Sequence, residues 1–260
     1  VVGPVTVVSV DPAPGVAPPD EENDFGPNQF GDFGLQFNND HRNGSMIVLT
    51  PGNRQGFASR GLQYRENTSL SFPYNLEANH SLLSSRSYKH MPNRRLFHAI
   101  MWDSEKNGSN PIRTVTCLDA APPADAFRPG YMGTNKEFFT ESQLQWDQLQ
   151  ELFIDPAIIP SFDQYARYFQ RVWVDHLNGS WTGQHLLPNE NMASYGREIA
   201  RLGSVATLML HTQAPQEDKR ELLINFVQYG IDLHTMVQLG AHYNEGGGHT
   251  SGRKWPIIFA

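Results

Sequence analysis

The pattern of apolar and polar positions changes character near residue 126. Before it, apolar residues come in short runs closed by Gly, Pro or Asn, the mark of strands. Val5-Thr-Val-Val-Ser-Val10 ends at Asp11-Pro-Ala-Pro-Gly15, and Ser45-Met-Ile-Val-Leu-Thr50 ends at Pro51-Gly52-Asn53. Ser69 to Phe72 and Ser81 to Ser84 are weaker strands. Leu96 to Trp102 and Ile112 to Leu118 flank a polar stretch, Asp103 to Asn110, and predict a hairpin. Residues 13–39 are rich in Pro, Gly and acidic side chains, with little periodicity, and predict an extended arm or long loop.

From Phe139 onward the period becomes helical. Leu144, Leu149, Leu152 and Phe153 predict a helix over 141–153, broken by Pro156 and Pro160. Ser161 caps a second, Phe162 to Leu177. Asn189 or Asn191 opens a third, which runs to about His211, and Pro215 opens a fourth, Gln216 to about Ala241. The apolar residues of this fourth helix spread around its circumference, so it is expected to lie buried between others. Gly203 and Gly230 inside these helices each cost about 1 kcal/mol relative to Ala, for which close helix approach is the expected compensation. Pro256 is placed in the first turn of a fifth helix. The apolar residues after it need neighbours, so the chain is expected to be part of a longer protein.

The expected fold class is α+β: a β-rich region over 1–126 with its arm, then antiparallel helical hairpins over 127–260. Repeated helical hairpins suggest an α-solenoid or an (α/α) toroid. No internal repeat of about 33 or 34 residues is visible, which disfavours the regular solenoid.

Composition narrows the function. With 39% hydrophobic residues and a net charge of −7, the chain reads as globular, without the basic face of a nucleic-acid binder. No apolar run approaches the ~20 residues of a membrane span. The single Cys117 excludes an internal disulfide framework and a cysteine metal cluster; a buried apolar role suits its strand-like surroundings. Glycosylation sequons begin at Asn43, Asn67, Asn79, Asn107 and Asn178, which points to a secreted, extracellular protein with these residues in surface loops. No cofactor and no metal are expected; His176 and His185 with Asp175 form only a generic metal-ligand pattern.

The candidate chemistry falls in two polar clusters. One spans 178–197, and the other is Glu245-Gly-Gly-Gly-His-Thr-Ser-Gly-Arg-Lys-Trp255. One helical hairpin separates them, so they are expected to share a rim. Trp181, His185, Arg197, Lys254 and Trp255 are the expected substrate-binding residues, as aromatic planes for sugar stacking and polar or cationic groups for a carboxylate. Elimination from a uronic acid needs a neutralised carboxylate, a base, and an acid for the leaving oxygen. His249 is placed as base or carboxylate partner, Tyr195 as acid/base, and Arg253 and Asn191 as the carboxylate clamp. Against this, Tyr195, Trp181 and Trp255 each have an ordinary packing role open to them, and His211 and His234 read as structural.

Three runs carry a resemblance: Asn191 to Ala200, Leu223 to Leu233, and Gly247 to Ile257. They resemble uncharacterised secreted bacterial proteins similar to the (α/α)-toroid class of alginate and chondroitin lyases and six-hairpin glycosidases. The resemblance implies a polysaccharide lyase or glycoside hydrolase acting on an acidic polysaccharide. The alternative is a non-enzymatic extracellular filament or structural subunit, a homo-oligomer self-assembling through its N-terminal arm.

Overall fold

The structure is a computed structural model and describes residues 1–11, 13, 44–52, 56, 65–85, 112–170, 172–173, 196–243 and 250–260. Within them lie five short strands: β1 (Val5–Val7), β2 (Ser45–Ile47), β3 (Tyr74–Leu76), β4 (Ser81–Ser85) and β5 (Ile112–Thr116). Four α-helices follow: α1 (Phe162–Gln170), α2 (Gly196–Leu210), α3 (Gln216–Gln238) and α4 (Ser251–Phe259). The arrangement is α+β, with small antiparallel sheets followed by helices.

β1 and β3 pair antiparallel, with Val5 opposite Leu76. The other sheet has the order β2-β4-β5, also antiparallel. Alternation along each strand decides which core a side chain joins. Met46, Val48, Leu83 and Ile112 face the main core, and their neighbours Ile47 and Leu82 face a smaller one with Leu76, Cys117, Val5 and Phe72. A one-residue slip of β4 would exchange the two sets, so register is fixed from both sides. Hydroxyl pairs Ser45–Ser84 at 2.7 Å and Ser81–Thr116 at 2.9 Å tie the strands across the sheet.

The main core runs from the sheet into the helices without a break at residue 126. It is organised around α3, which contributes Leu222, Leu223, Phe226, Val227, Ile231, Leu233 and Met236. This is the all-round burial expected of that helix. Phe169 of α1 meets Phe226 edge-on at 4.9 Å between centroids, and Trp173 and Tyr229 extend the aromatic cluster. Ser161 caps α1 by accepting from the Gln164 N–H at 3.3 Å, as its sequence position predicts, but the helix ends at Gln170 instead of running to Leu177, with Val172 and Trp173 outside it.

Several expectations need correction. Residues 141–153 form no α-helix but two 3-10 turns, Glu141–Gln143 and Trp146–Gln148. Thr140 and Gln143 close a capping box on a single turn. Leu152 then leaves as an extended bridge to Thr212, its N–H donating to the His211 carbonyl at 2.5 Å. Tertiary pairing overrides the helical spacing here. Ser69 to Phe72 is not a strand; the strand lies just after it, at β3. Pro256 is interior to α4 rather than in its first turn, because the helix already starts at Ser251. No toroid is evident in these elements. The arm 13–39 beyond its first residue, Leu96 to Trp102, and the caps Asn189 and Asn191 lie outside the described residues.

The connector from the sheet to the helices is clasped to α3. Arg128 makes a two-bond ion pair with Asp232 at 2.9 and 2.5 Å, and the Tyr131 N–H donates to the same carboxylate at 3.3 Å. Lys136 closes the turn by donating to the carbonyls of Gly130, Tyr131 and Gly133. Burial first, then the Arg128 guanidinium, lowers the Lys136 ammonium from 10.5 to about 8, while Asp232 draws it back up. The unfolded chain therefore holds the extra proton between about pH 8 and 10.5, and this residue's contribution to stability rises with pH across that window. Lys136→Arg keeps a donor that does not titrate. Denaturant melts at pH 7.5 and 10 should show the wild type gaining on this variant as pH rises; a constant difference would contradict the assignment.

Candidate functional site

A groove of about 720 Å³ opens between α3, α4 and the 3-10 turns after Thr140. Its floor is apolar, from Leu144, Leu149, Val227, Ile231 and Phe259. Polar groups rise from the walls: Gln143, Gln145 and Gln148 from the turns, His211 from the end of α2, and His234 from α3. Trp255 stands at one side. It is 41% exposed, its Nε1–H donates to Thr207 Oγ1 at 2.6 Å, and its ring lies 6.2 Å from Phe259. The indole is thus held by its edge while part of its surface stays open. Volume and lining match a small-molecule cleft, which combines an apolar body with a few placed polar groups.

Electrostatics define the groove further. Its described lining holds no Lys, Arg, Asp or Glu. His211 Nδ1 lies 2.9 Å from the Gln150 carbonyl oxygen. A carbonyl only accepts, so Nδ1 carries the proton and the neutral ring keeps its lone pair on Nε2. In its neutral form His211 is thus held in one tautomer beside an open groove. At the outer edge Arg220 pairs with Glu141, so its charge is already met.

The residues singled out in the sequence have different fates. Arg253, Lys254 and Trp255 follow one another on α4, but only Trp255 lines the groove. Arg253 is 2% exposed, with its guanidinium 4.8 Å from the Tyr243 ring centroid. Lys254 is exposed. Arg197 lies in the first turn of α2. His249, Tyr195, Asn191, Trp181 and His185 lie outside the described residues, as do the metal candidates Asp175 and His176 and the sequons at Asn43, Asn107 and Asn178. Asn67 is exposed in the 3-10 turn Glu66–Thr68. Asn79 is half-buried at φ 63°, with Nδ2 donating to Asp119 at 3.4 Å.

The groove histidines and glutamines did not stand out in the sequence. A signal was present: four glutamines recur between Gln143 and Gln150, more amide than a core-facing helix would use. His211 falls just past the last turn of α2, where a side chain is free to face a cleft. Among the described residues no three His, Cys, Asp or Glu side chains cluster as a metal site, and no helix is long and apolar enough to cross a membrane. Compared with family models, curated proteins and solved structures, the chain matches none.

Proposed function

We propose that the protein is a secreted polysaccharide-binding protein whose glycan lies in the groove beside Trp255. The observation that carries this reading is one partly open indole, pinned at its Nε1, at the side of a groove walled by three glutamines and two histidines. Sugar rings stack their C–H faces on an aromatic plane, and their hydroxyls match amides and imidazoles, which both donate and accept. An acidic polysaccharide suits the groove on one condition. Its carboxylates must meet the histidines or the exposed Lys254, because no arginine or lysine is among its described lining. β-Elimination would then have His211 Nε2 take the proton next to the carboxylate and, as imidazolium, pass it to the glycosidic oxygen as the C–O bond breaks, with the helices forming part of an (α/α) toroid.

The test is affinity electrophoresis through gels carrying pectate, alginate, chondroitin sulfate or neutral glucan, with Trp255→Ala beside the wild type. At least one polymer should retard the wild type, and loss of the indole should weaken retention about tenfold or more, in the range of a stacking anchor. Absence of retardation on every polymer, or equal retardation of both proteins, defeats the proposal.

Assembly is the second reading, favoured by surface apolar residues outside the groove. Phe153 is 90% and Ile158 71% exposed, on the stretch leading to α1. In that case oligomer formation, measured by sedimentation, should weaken in Phe153→Ser.

A further inference from the structure

A second concavity, of about 330 Å³, lies on a different face of α3, where Gln228, Tyr229 and Asp232 look towards β5 and the end of α1. Alternation along β5 turns Ile112 and Thr114 towards the helices and Arg113 away from them. The Arg113 guanidinium accordingly meets the Asp11 carbonyl, at 3.4 Å, and lends the cleft only its rim. Thr114 Oγ1 is buried at the cleft and has no hydrogen-bond partner. Buried hydroxyls are nearly always paired, so one that faces a cavity marks a place where something else supplies the bond.

The remaining walls restrict what that is. Arg128 and Asp232 neutralise each other in the clasp, so the inner wall of the cleft offers no unbalanced charge to an ion; the charge left over among the described lining is Arg113 at the rim, whose guanidinium is turned to the Asp11 carbonyl. The Gln228 amide nitrogen donates to the Arg128 carbonyl at 2.9 Å, which leaves its oxygen as an acceptor. Gln170, exposed at the end of α1, adds an amide, and Val172 and Tyr229 supply an apolar side. The volume is at the small end of ligand pockets, about 300–1,000 Å³. Mixed donors and acceptors, an apolar wall, balanced charge and room for one ring together describe a single class of ligand. We infer that this cleft binds a neutral monosaccharide unit, with the Thr114 hydroxyl as its buried anchor. The site is separate from the Trp255 groove and does not depend on it.

The test is calorimetric and saturation-transfer titration of the full chain with methyl glucoside, methyl galactoside, N-acetylglucosamine, galacturonate and glycerol. Thr114→Val is the variant, because it keeps the shape and strand preference and removes only the hydroxyl. A neutral pyranoside should bind saturably, and Thr114→Val should weaken it about tenfold while the unliganded protein melts at the same or a higher temperature. Trp255→Ala should leave this binding unchanged, which separates failure here from failure of the groove. The inference is overturned by any of three results: no saturable binding of a pyranoside, affinity unchanged in Thr114→Val, or galacturonate or glycerol binding as well as the neutral sugars.

Discussion

Asp232→Ala should destabilise the protein by about 3–5 kcal/mol, the range measured when one partner of a buried ion pair is removed. Asp232 is 3% exposed and takes both bonds from Arg128 together with the Tyr131 N–H. Its loss leaves a partly buried guanidinium and a buried amide without acceptors. Arg128→Ala should be as harmful, because it leaves a buried carboxylate without its cation and with the Tyr131 N–H as its remaining donor. The double replacement Arg128→Met, Asp232→Leu should recover most of the loss, since well-packed apolar groups often substitute for such a pair at little net change. Urea melts of Arg128→Met, Asp232→Leu and the double replacement beside the wild type measure this coupling directly. Additive losses would mean that the two side chains do not act as one clasp.

Two glycines on neighbouring helices should respond in opposite directions to the same substitution. A Cβ on Gly230 would lie 2.5 Å from the Ala260 Cβ and inside the contact distance of the Pro256 carbonyl oxygen. Gly230→Ala must therefore push α4 off α3, a loss of about 1–3 kcal/mol or more that outweighs the ~1 kcal/mol gain in helix propensity. A Cβ on Gly203 would meet only the Phe226 ring, at an ordinary 3.8 Å. Gly203→Ala should keep its propensity gain and stabilise by up to ~1 kcal/mol. Melting temperatures of the two variants on opposite sides of the wild type are the expected outcome. If both fall, or both rise, the helix contact is not as described.

The two glycines also show how far the sequence could be read. Interior glycines implied close helix approach, and Gly230 meets that expectation where α4 crosses, whereas the nearest neighbour of Gly203 is a side chain at ordinary distance. α3 was legible because its apolar residues repeat over six turns and Pro215 marks its start. β2, β4 and β5 were legible from short apolar runs between turn residues. The segment after Thr140 was misread because a local helical spacing competes there with a bridge to Thr212, distant in sequence. Such pairings leave no trace in periodicity. For the proposed site, Trp255 was visible as an aromatic after a glycine-rich run. His211 and His234 were not, since a histidine facing a groove from within a helix or from just past its end has the same sequence pattern as one facing the core. The burial of Arg253 against Tyr243 was equally hidden, because no motif announces that contact.

The central claim is that a glycan occupies the groove beside Trp255. The most direct measurement is a crystal structure of the protein with the longest oligosaccharide it retains. The account predicts a sugar ring against the open face of the Trp255 indole, with hydroxyls within hydrogen-bond distance of the Gln143–Gln148 amides or His211 Nε2. A groove filled by polypeptide, or a sugar bound elsewhere with Trp255 untouched, would contradict it.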